Sequence, residues 1–375
     1  MAQVVIIGGG FAGVVVAESL AKRLGSEHDI TLVSRSRRFH FYPALVRLAF
    51  GQCDPEEIQF DIRDAMTDRR IRFVEGEVAR IHPSEGRITF ARGDFVGEMN
   101  YDFLVLALGR RLKTELVTGF FENAHHLLGV REAQKFGKAV DSFHEGRAVI
   151  GYCEGARLPV PVFETAFALS RRLKERGERD RCTITVVSSE TLDQMFGGVP
   201  MSEAVIGPIK SHDIELVCNF SITKVTPNSL IATDGRMLEY DLNMIIPPFG
   251  GPGALVGSDI IDDEGYVHVD QTMSVPGVER LYAVGDCVGF EGPKMGHMAV
   301  RQAEVAVENL VAELEGKPPT AKYDHEMMLV IDADGHESTF VKKDLWTDEP
   351  AHIGRSRFWG WAKRKQEQYW KARHA

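Results

Sequence analysis

The sequence has few cysteines, and none of them are paired by spacing. Five cysteines are spread from Cys53 to Cys287 in 375 residues, and no two of them form a CxxC motif. This excludes a metal-ligand pair or a redox pair of cysteines adjacent in sequence, and it suits a reducing compartment. We therefore expect no bound metal and a cytoplasmic location.

Long apolar runs and an excess of basic residues are also missing. No run reaches the roughly 18 apolar residues that a membrane-spanning helix needs, and the opening MAQVVIIGGG lacks the basic region of a signal peptide. The formal net charge of −10 disfavours nucleic-acid binding. The charge is uneven, because residues 355–375 carry a net charge of +6. Since no apolar run is long enough to span a bilayer, any contact with a membrane would be made from one side.

A glycine-rich loop stands near the start of the chain. Gly8, Gly10 and Gly13 form GxGxxG between an apolar strand at residues 3–7 and a helix, and DITLVSRS (29–36) follows as the next strand. In a βαβ unit the first glycine permits the tight turn, the second admits a pyrophosphate, and the third allows close packing of helix and strand. The spacing predicts a dinucleotide-binding loop, which includes Phe11 and Ala12.

The acidic residue expected at the end of the second strand is absent. Ser34 stands there and Arg35 follows. An acid would bind a ribose 2′-hydroxyl, whereas arginine favours a 2′-phosphate, and serine can bond a ribose hydroxyl. These residues alone leave both alternatives open.

A second βαβ pattern predicts a second lobe. RAVIG (147–151) reads as a strand, residues 161–176 as a helix and CTITVVSS (182–189) as the next strand. We predict an α/β fold with two Rossmann-like dinucleotide-binding domains and a C-terminal tail helix. The predicted parts are a discontinuous first domain (1–112 and 236–316), a second domain (113–235) and a C-terminal region (317–375).

The loop of the second lobe departs from the nucleotide-binding pattern. In GYCEGAR (151–157) Cys153 replaces the middle glycine, and Pro159 and Pro161 follow. A side chain at that position obstructs a pyrophosphate, so nicotinamide binding is disfavoured. Cys153 is either a single reactive thiol or a small buried residue that closes the strand.

Further motifs resemble a known flavoprotein family. They are VVIIGGGFAG, FHFYPALVRLAFGQCDPEEIQFDI (39–62), YDFLVLALG (101–109), IIPPFGG, YAVGDC and GPKMGHMAVRQAEVAVENL (292–310). Together they resemble the sulfide:quinone oxidoreductases and the flavin subunits of flavocytochrome c sulfide dehydrogenases, and more distantly the type II NADH dehydrogenases. The resemblance extends over most of the chain, up to the tail.

The resemblance implies FAD as cofactor, with a small reductant as donor and a quinone as acceptor. It implies that Asp286 bonds the ribityl chain, that Tyr42 and Pro43 lie along the isoalloxazine, and that Lys294 lies near the flavin and the quinone. The helix at 295–312 would direct its N-terminus at the flavin. The remaining candidate flavin contacts are Val78, Ala107, Gly109, Gly285 and Met295.

The family's redox cysteine pair is missing. One cysteine would stand at about Leu158 and the other in HEMMLVIDADG (325–335), and neither place holds a cysteine. Glu164 matches an acid that both groups of relatives keep. We expect it to have a raised pKa and to deliver protons to the quinone, although a carboxylate that complements the helix dipole is an open alternative.

The tail is aromatic and basic. On a helical wheel, one face carries Phe358, Trp359, Ala362, Gln366, Tyr369 and Trp370. This pattern is typical of a helix lying on an anionic membrane, and a helix that docks on its own chain or on a second copy in a homodimer is the alternative.

The function that follows is FAD-dependent oxidation of a small donor with a quinone as acceptor, at the inner face of a membrane. Three alternatives stay open: a type II NAD(P)H:quinone reductase, a flavin subunit that donates to a protein partner such as a cytochrome, and a flavoprotein sensor without turnover.

Overall fold

The computed structural model describes residues 1–94, 96–333 and 338–374. The helices of this part are α1 (Phe11–Leu24), α2 (Leu45–Ala49), α3 (Ile62–Asp68), α4 (Phe120–Asn123), α5 (Val130–Ser142), α6 (Val160–Glu175), α7 (Leu192–Met195), α8 (Met201–Ser211), α9 (Gly296–Leu314) and α10 (Arg357–His374). The strands are β1 (Gln3–Ile7), β2 (Asp29–Ser34), β3 (Arg38–His40), β4 (Gln59–Asp61), β5 (Arg72–His82), β6 (Arg87–Gly93), β7 (Gly97–Asn100), β8 (Phe103–Leu106), β9 (Arg111–Leu112), β10 (Gly146–Tyr152), β11 (Cys182–Ser188), β12 (Glu215–Val217), β13 (Ile222–Val225), β14 (Ser229–Ala232), β15 (Met237–Glu239), β16 (Leu242–Ile246), β17 (Phe249–Gly250), β18 (Leu281–Ala283), β19 (Glu326–Ile331), β20 (Ser338–Asp344) and β21 (His352–Ser356).

The first lobe is built on a seven-stranded sheet in the order β18-β8-β1-β2-β5-β6-β7. The central strands β1, β2 and β8 pair in parallel, and β18 continues the parallel part beside β8. Four of the five residues of β1 and all four of β8 are buried, as expected for parallel strands covered on both faces. Helix α1 packs against β1 and β2, and α9 packs against α1.

The second lobe is a four-stranded parallel sheet in the order β12-β11-β10-β16. The two Rossmann-like lobes and the tail helix confirm the predicted fold class. The predicted boundary at residue 235 is too early, because β16 pairs with β10 in the second sheet. The run LNMII of β16 is apolar throughout and would suit either parallel sheet, so periodicity alone does not assign it.

The C-terminal region forms an antiparallel sheet of β19, β20 and β21, and α10 follows it directly. The predicted strand at 325–335 corresponds to β19, and residues 334 and 335 lie outside the described residues. Within the described ranges, no helix combines the length and the apolar character that crossing a bilayer requires.

Candidate active site

The first glycine loop has two tightly packed glycines and one open glycine. Gly8 has a φ of +118°, and a Cβ placed there would lie 2.0 Å from the carbonyl oxygen of Ala107. A Cβ at Gly13 would lie 1.8 Å from the carbonyl oxygen of Gly8. At Gly10 a Cβ would meet no atom of the described residues within 4 Å. The loop is therefore closed towards the sheet and open at the position where a pyrophosphate would approach.

Helix α1 begins directly behind the open glycine. Gly10 is its N-cap residue, the half-buried Phe11 is its first residue, and Ala12 is buried. Since the first backbone N–H groups of a helix have no partner within the helix, they are available to an anion. This geometry fits the diphosphate of a dinucleotide.

The end of β2 lies against the same loop. A Cβ at Gly9 would come within 2.7 Å of the Ser34 hydroxyl oxygen, whereas Arg35 is exposed. The Ser34 oxygen also accepts a hydrogen bond from the amide of Ser36 at 3.4 Å. Val78 is buried in β5. The serine therefore borders the loop more closely than the arginine does.

Gly285 and Asp286 occupy a turn that follows β18. The amide of Gly285 donates to the side-chain oxygen of Gln302 at 2.7 Å, and Gln302 is buried on α9. Gln302 thus fixes the turn that presents Asp286. Nothing in the sequence pattern pointed to Gln302, because a buried glutamine on a long helix has no motif of its own.

Arg110 is a second residue that sequence reasoning missed. It follows Gly109, whose φ is +70°, and its guanidinium forms an ion pair with Asp286. The guanidinium carbon lies 4.4 Å from the ring centroid of Phe249 and 6.0 Å from that of Tyr42. Tyr42 and Pro43 begin a short 3₁₀ turn, and both are exposed.

Lys294 is buried beside the same turn. Its ammonium group donates to the carbonyl oxygens of Val288 and Phe290. It lies 4.7 Å from the ring centroid of Tyr266. Burial, reinforced by the nearby Arg157, lowers the pKa of Lys294 to about 8.

A small cleft lies beside Asp286 and Lys294. It is lined by Gly285, Asp286, Lys294, Met295, Met298 and Gln302, with Phe290, Pro293, Ala299 and His325. Met295 is the N-cap residue of α9, so that the N-terminus of this helix also faces the cleft. The predicted residues Asp286, Lys294 and Met295 are therefore brought together.

The corresponding loop of the second lobe is occupied by its own chain. The amide of Cys153 donates to the carbonyl oxygen of Ile246 at 3.0 Å, and that of Ala156 donates to the carbonyl oxygen of Cys153 at 3.0 Å. Pro159 is the N-cap residue of α6, and Pro161, in the first turn, has no N–H group. These amides are unavailable to a diphosphate.

Two carboxylates add negative charge at this loop. Burial and the nearby Glu154 raise the pKa of Glu190. In their ionised forms both carboxylates would repel a diphosphate placed here, while Arg157 adds a positive charge beside them.

Cys153 has the surroundings of a packing residue. It is fully buried among Val149, Val187 and Ile245 in the small core of the second lobe. Burial raises the pKa of its thiol, and a protonated buried thiol is a poor nucleophile. The structure therefore favours the packing interpretation over the reactive one.

Glu164 lies in the second turn of α6 and is buried. Its carboxylate accepts hydrogen bonds from the amide of Asp332 at 2.8 Å and from the ammonium group of Lys363 on the tail helix. Burial raises the pKa of Glu164, and Lys363 opposes that shift. Sequence reasoning missed Lys363, although a buried carboxylate requires a partner.

The tail helix α10 docks on its own chain. Trp370 stacks on Phe39 with ring centroids 4.7 Å apart and lies 4.8 Å from Phe11 in the glycine loop. Glu367 pairs with Arg47 at 2.8 Å. The predicted single aromatic face is therefore wrong, since Trp370 faces the protein, as does Trp359, which stacks on Phe340. Helical spacing defines faces but does not tell which one packs inward.

The outward face of α10 carries other aromatic residues. Phe358 is 53% exposed, Trp361 is 51% exposed and Tyr369 is 64% exposed. Lys365 lies between them on the same face and is exposed. We call these four residues the outer stripe.

Two Rossmann-type lobes in one chain, the first with an open glycine loop, are the architecture of two-dinucleotide oxidoreductases. The chain belongs to the family described as pyridine nucleotide-disulphide oxidoreductase, which matches residues 2–303.

The relatives include quinone reductases of two kinds. Mouse mitochondrial sulfide:quinone oxidoreductase is 23% identical over 344 residues, covering 86% of this chain and 73% of that protein. Sulfide-quinone reductase of Aquifex aeolicus is 26% identical over 365 residues, covering 91% and 83%. Type II NADH:quinone oxidoreductase of Haemophilus influenzae is 24% identical over 380 residues, covering 88% and 85%.

The solved structure of the Aquifex aeolicus enzyme matches with a TM-score of 0.92 at 24% identity, over 100% of this chain and 92% of that one. The predicted resemblance is confirmed by these comparisons.

Proposed function

We propose that this protein is an FAD-dependent oxidoreductase that takes electrons from a small donor and passes them to a quinone. The observation that carries the proposal is the contrast between the two loops. The first loop has an open glycine at Gly10 and closes on the sheet through Gly8 and Gly13, whereas the second is filled by its own backbone and by prolines. One dinucleotide site fits, and the other does not.

The residues of the first site fit FAD. The diphosphate would lie at Gly10 and the N-terminus of α1, and Ser34 would border the adenosine ribose. Asp286, held by Arg110 and presented by Gln302, would bond the ribityl chain. When bound, FAD supplies two-electron chemistry that no amino-acid side chain offers.

Glu164 is proposed to handle the protons that a quinone takes up on reduction. Its carboxylate is buried with a raised pKa, and Lys363 holds it in place. A carboxyl group with a raised pKa holds its proton to higher pH than an ordinary one, which suits it to proton transfer. Lys294, whose pKa is lowered to about 8, is proposed to adjust the charge of the cleft.

The donor is proposed to be a small reductant other than a nicotinamide nucleotide. In the second loop the amides of Cys153 and Ala156 are used by its own backbone, and Glu154 and Glu190 place two carboxyl groups there. Sulfide is the donor suggested by the names of the mouse and Aquifex relatives, but this chain lacks the cysteine pair expected from the resemblance. A direct reaction of the donor at the flavin is therefore proposed.

The outer stripe is proposed to contact the cytoplasmic face of a membrane, where quinones reside. Exposed aromatic side chains beside a basic residue are typical of interfacial helices. Vesicles containing anionic lipid should bind the wild-type protein, and the F358S/W361S/Y369S variant should bind them much more weakly. Equal binding by both proteins would contradict the membrane contact, and association of the wild type into dimers through this stripe would favour a second copy instead.

The function itself is tested by anaerobic mixing of the FAD-loaded protein with sulfide, NADH and NADPH in turn. Bleaching of the flavin absorbance by sulfide is expected. Rapid bleaching by NADH would contradict the proposal and favour a type II NADH:quinone reductase.

A further inference from the structure

Arg110 is a charged residue that the motifs left unexplained, and it contacts two of the predicted flavin-binding residues, Asp286 and Tyr42. It pairs with Asp286, lies against Phe249 and faces Tyr42. Its side chain is 16% exposed, and so is that of Asp286. An arginine taken out of water to this extent is held by specific contacts rather than by solvation.

The guanidinium of Arg110 has an N–H donor with no acceptor among the residues that the structure describes. One terminal nitrogen is used by Asp286. The Nε atom is buried and has no hydrogen-bond partner among the described residues. Because a buried donor without a partner is costly, this atom marks a place for an acceptor that a ligand can provide.

Lys294, a second cation of the site, donates to backbone carbonyl oxygens rather than to a carboxylate. Two of its three donors point at the carbonyl oxygens of Val288 and Phe290. Arginine keeps its charge at any working pH, while a buried lysine can lose it. Lys294 therefore does not supply a permanent positive charge, whereas Arg110 and Arg157, which pairs with Glu264, both do.

We propose that Arg110 is a flavin-binding residue whose guanidinium, anchored on Asp286 and Phe249, hydrogen-bonds the bound FAD and stabilises its reduced form. The inference rests on the proposed FAD binding. Fixed positive charge placed where negative charge develops favours the reduced state of a cofactor. Arg110 would thus set the driving force for electron transfer to the quinone.

Arg111 offers a matched control. It is the next residue, its side chain is 48% exposed, and it pairs with Glu115 at 2.8 Å. The R110Q and R111Q variants remove the same charge one residue apart, so that overall charge and local sequence are closely matched.

The test is a potentiometric titration of the FAD-loaded proteins, together with titration of each apoprotein with FAD. In R110Q the ratio of reduced to oxidised flavin at a fixed potential should fall at least tenfold, which is about 30 mV for a two-electron couple. The dissociation constant for FAD should rise at least tenfold. R111Q should match the wild type in both measurements.

Equal midpoint potentials for R110Q and the wild type would overturn the proposal, even if both bind FAD. A wild-type protein that binds no FAD would instead refute the proposed function. If circular dichroism shows that R110Q is unfolded, the R110K variant is measured instead. It keeps the positive charge but loses the planar guanidinium with its several N–H donors, so its dissociation constant for FAD should be several-fold higher than that of R111K. Equal dissociation constants of R110K and R111K for FAD would overturn the proposal.

Discussion

Replacing Lys363 by methionine should loosen the tail helix, because it leaves the Glu164 carboxylate buried without its cation. The Glu164 side chain is 8% exposed and that of Lys363 is 25% exposed. Removing one partner of a buried ion pair costs about 3–5 kcal/mol, and the partial exposure of Lys363 places the expected loss near 3 kcal/mol. Since the pair joins α6 to α10, the loss falls on docking of the tail.

Amide hydrogen exchange of residues 357–374 measures this docking directly. A loss of about 3 kcal/mol corresponds to roughly a hundredfold drop in protection, because each 1.4 kcal/mol is a factor of ten. The matched control is K365M on the same helix. Lys365 is exposed, and its ammonium group donates a hydrogen bond to the side-chain oxygen of Gln368 at 3.2 Å.

The effect should depend on pH with a defined sign. Burial raises the pKa of Glu164 in the docked state, and loss of Lys363 raises it further. A carboxyl group with a raised pKa stabilises the docked state below its ordinary pKa, and that contribution is lost as the pH rises through the docked-state value. The K363M tail should therefore be protected far less at pH 8 than at pH 5.

The E164Q/K363M double variant should recover part of the protection, since it buries no uncompensated charge. Equal protection in K363M and K365M at both pH values would show that Lys363 does not compensate the charge of Glu164 in solution.

Gly10, Cys153 and Trp370 each allow a separate test. The G10A variant should fold like the wild type, because no described atom lies within 4 Å of the added Cβ, but it should bind FAD at least tenfold more weakly. G253A, whose added Cβ also meets no described atom within 4 Å, is the control. Equal FAD affinity of G10A and G253A would refute the assignment of this loop to the diphosphate. Cys153 should not react with a thiol reagent in the folded protein at pH 8, because it is fully buried and its pKa is raised. Mass spectrometry should find the label first on the partly exposed Cys218. Early labelling of Cys153 would show that its thiol is accessible. The W370A variant should lower the hydrogen-exchange protection of α10 by roughly a hundredfold or more, since removing a packed tryptophan costs about 3 kcal/mol or more. Unchanged amide exchange would show that the stacking of Trp370 on Phe39 does not hold the tail helix in place.

The sequence predicted those features that depend on local pattern. The glycine spacing, the apolar runs of β1 and β8 and the break at Cys153 are local, and the two lobes and the contrast between their loops follow from them. The Asp286 turn was found through a motif in the same way.

The sequence did not reveal the partners that meet only in three dimensions. Arg110 and Asp286 are separated by 176 positions, and Lys363 and Glu164 by 199. Charge patterning within a helix or strand carries no signal for such pairs. The tail shows the same limit, because the periodicity gave α10 an aromatic character but not the face that docks.

Electron transfer from the flavin to a quinone is measured directly by the reoxidation of the reduced flavin. FAD-loaded protein is reduced anaerobically with a stoichiometric amount of dithionite and mixed in a stopped-flow instrument with a short-chain ubiquinone. The flavin absorbance should return at a rate proportional to quinone concentration, and E164Q should slow this return. Flavin that stays reduced in the presence of excess quinone would show that this protein does not pass electrons to a quinone.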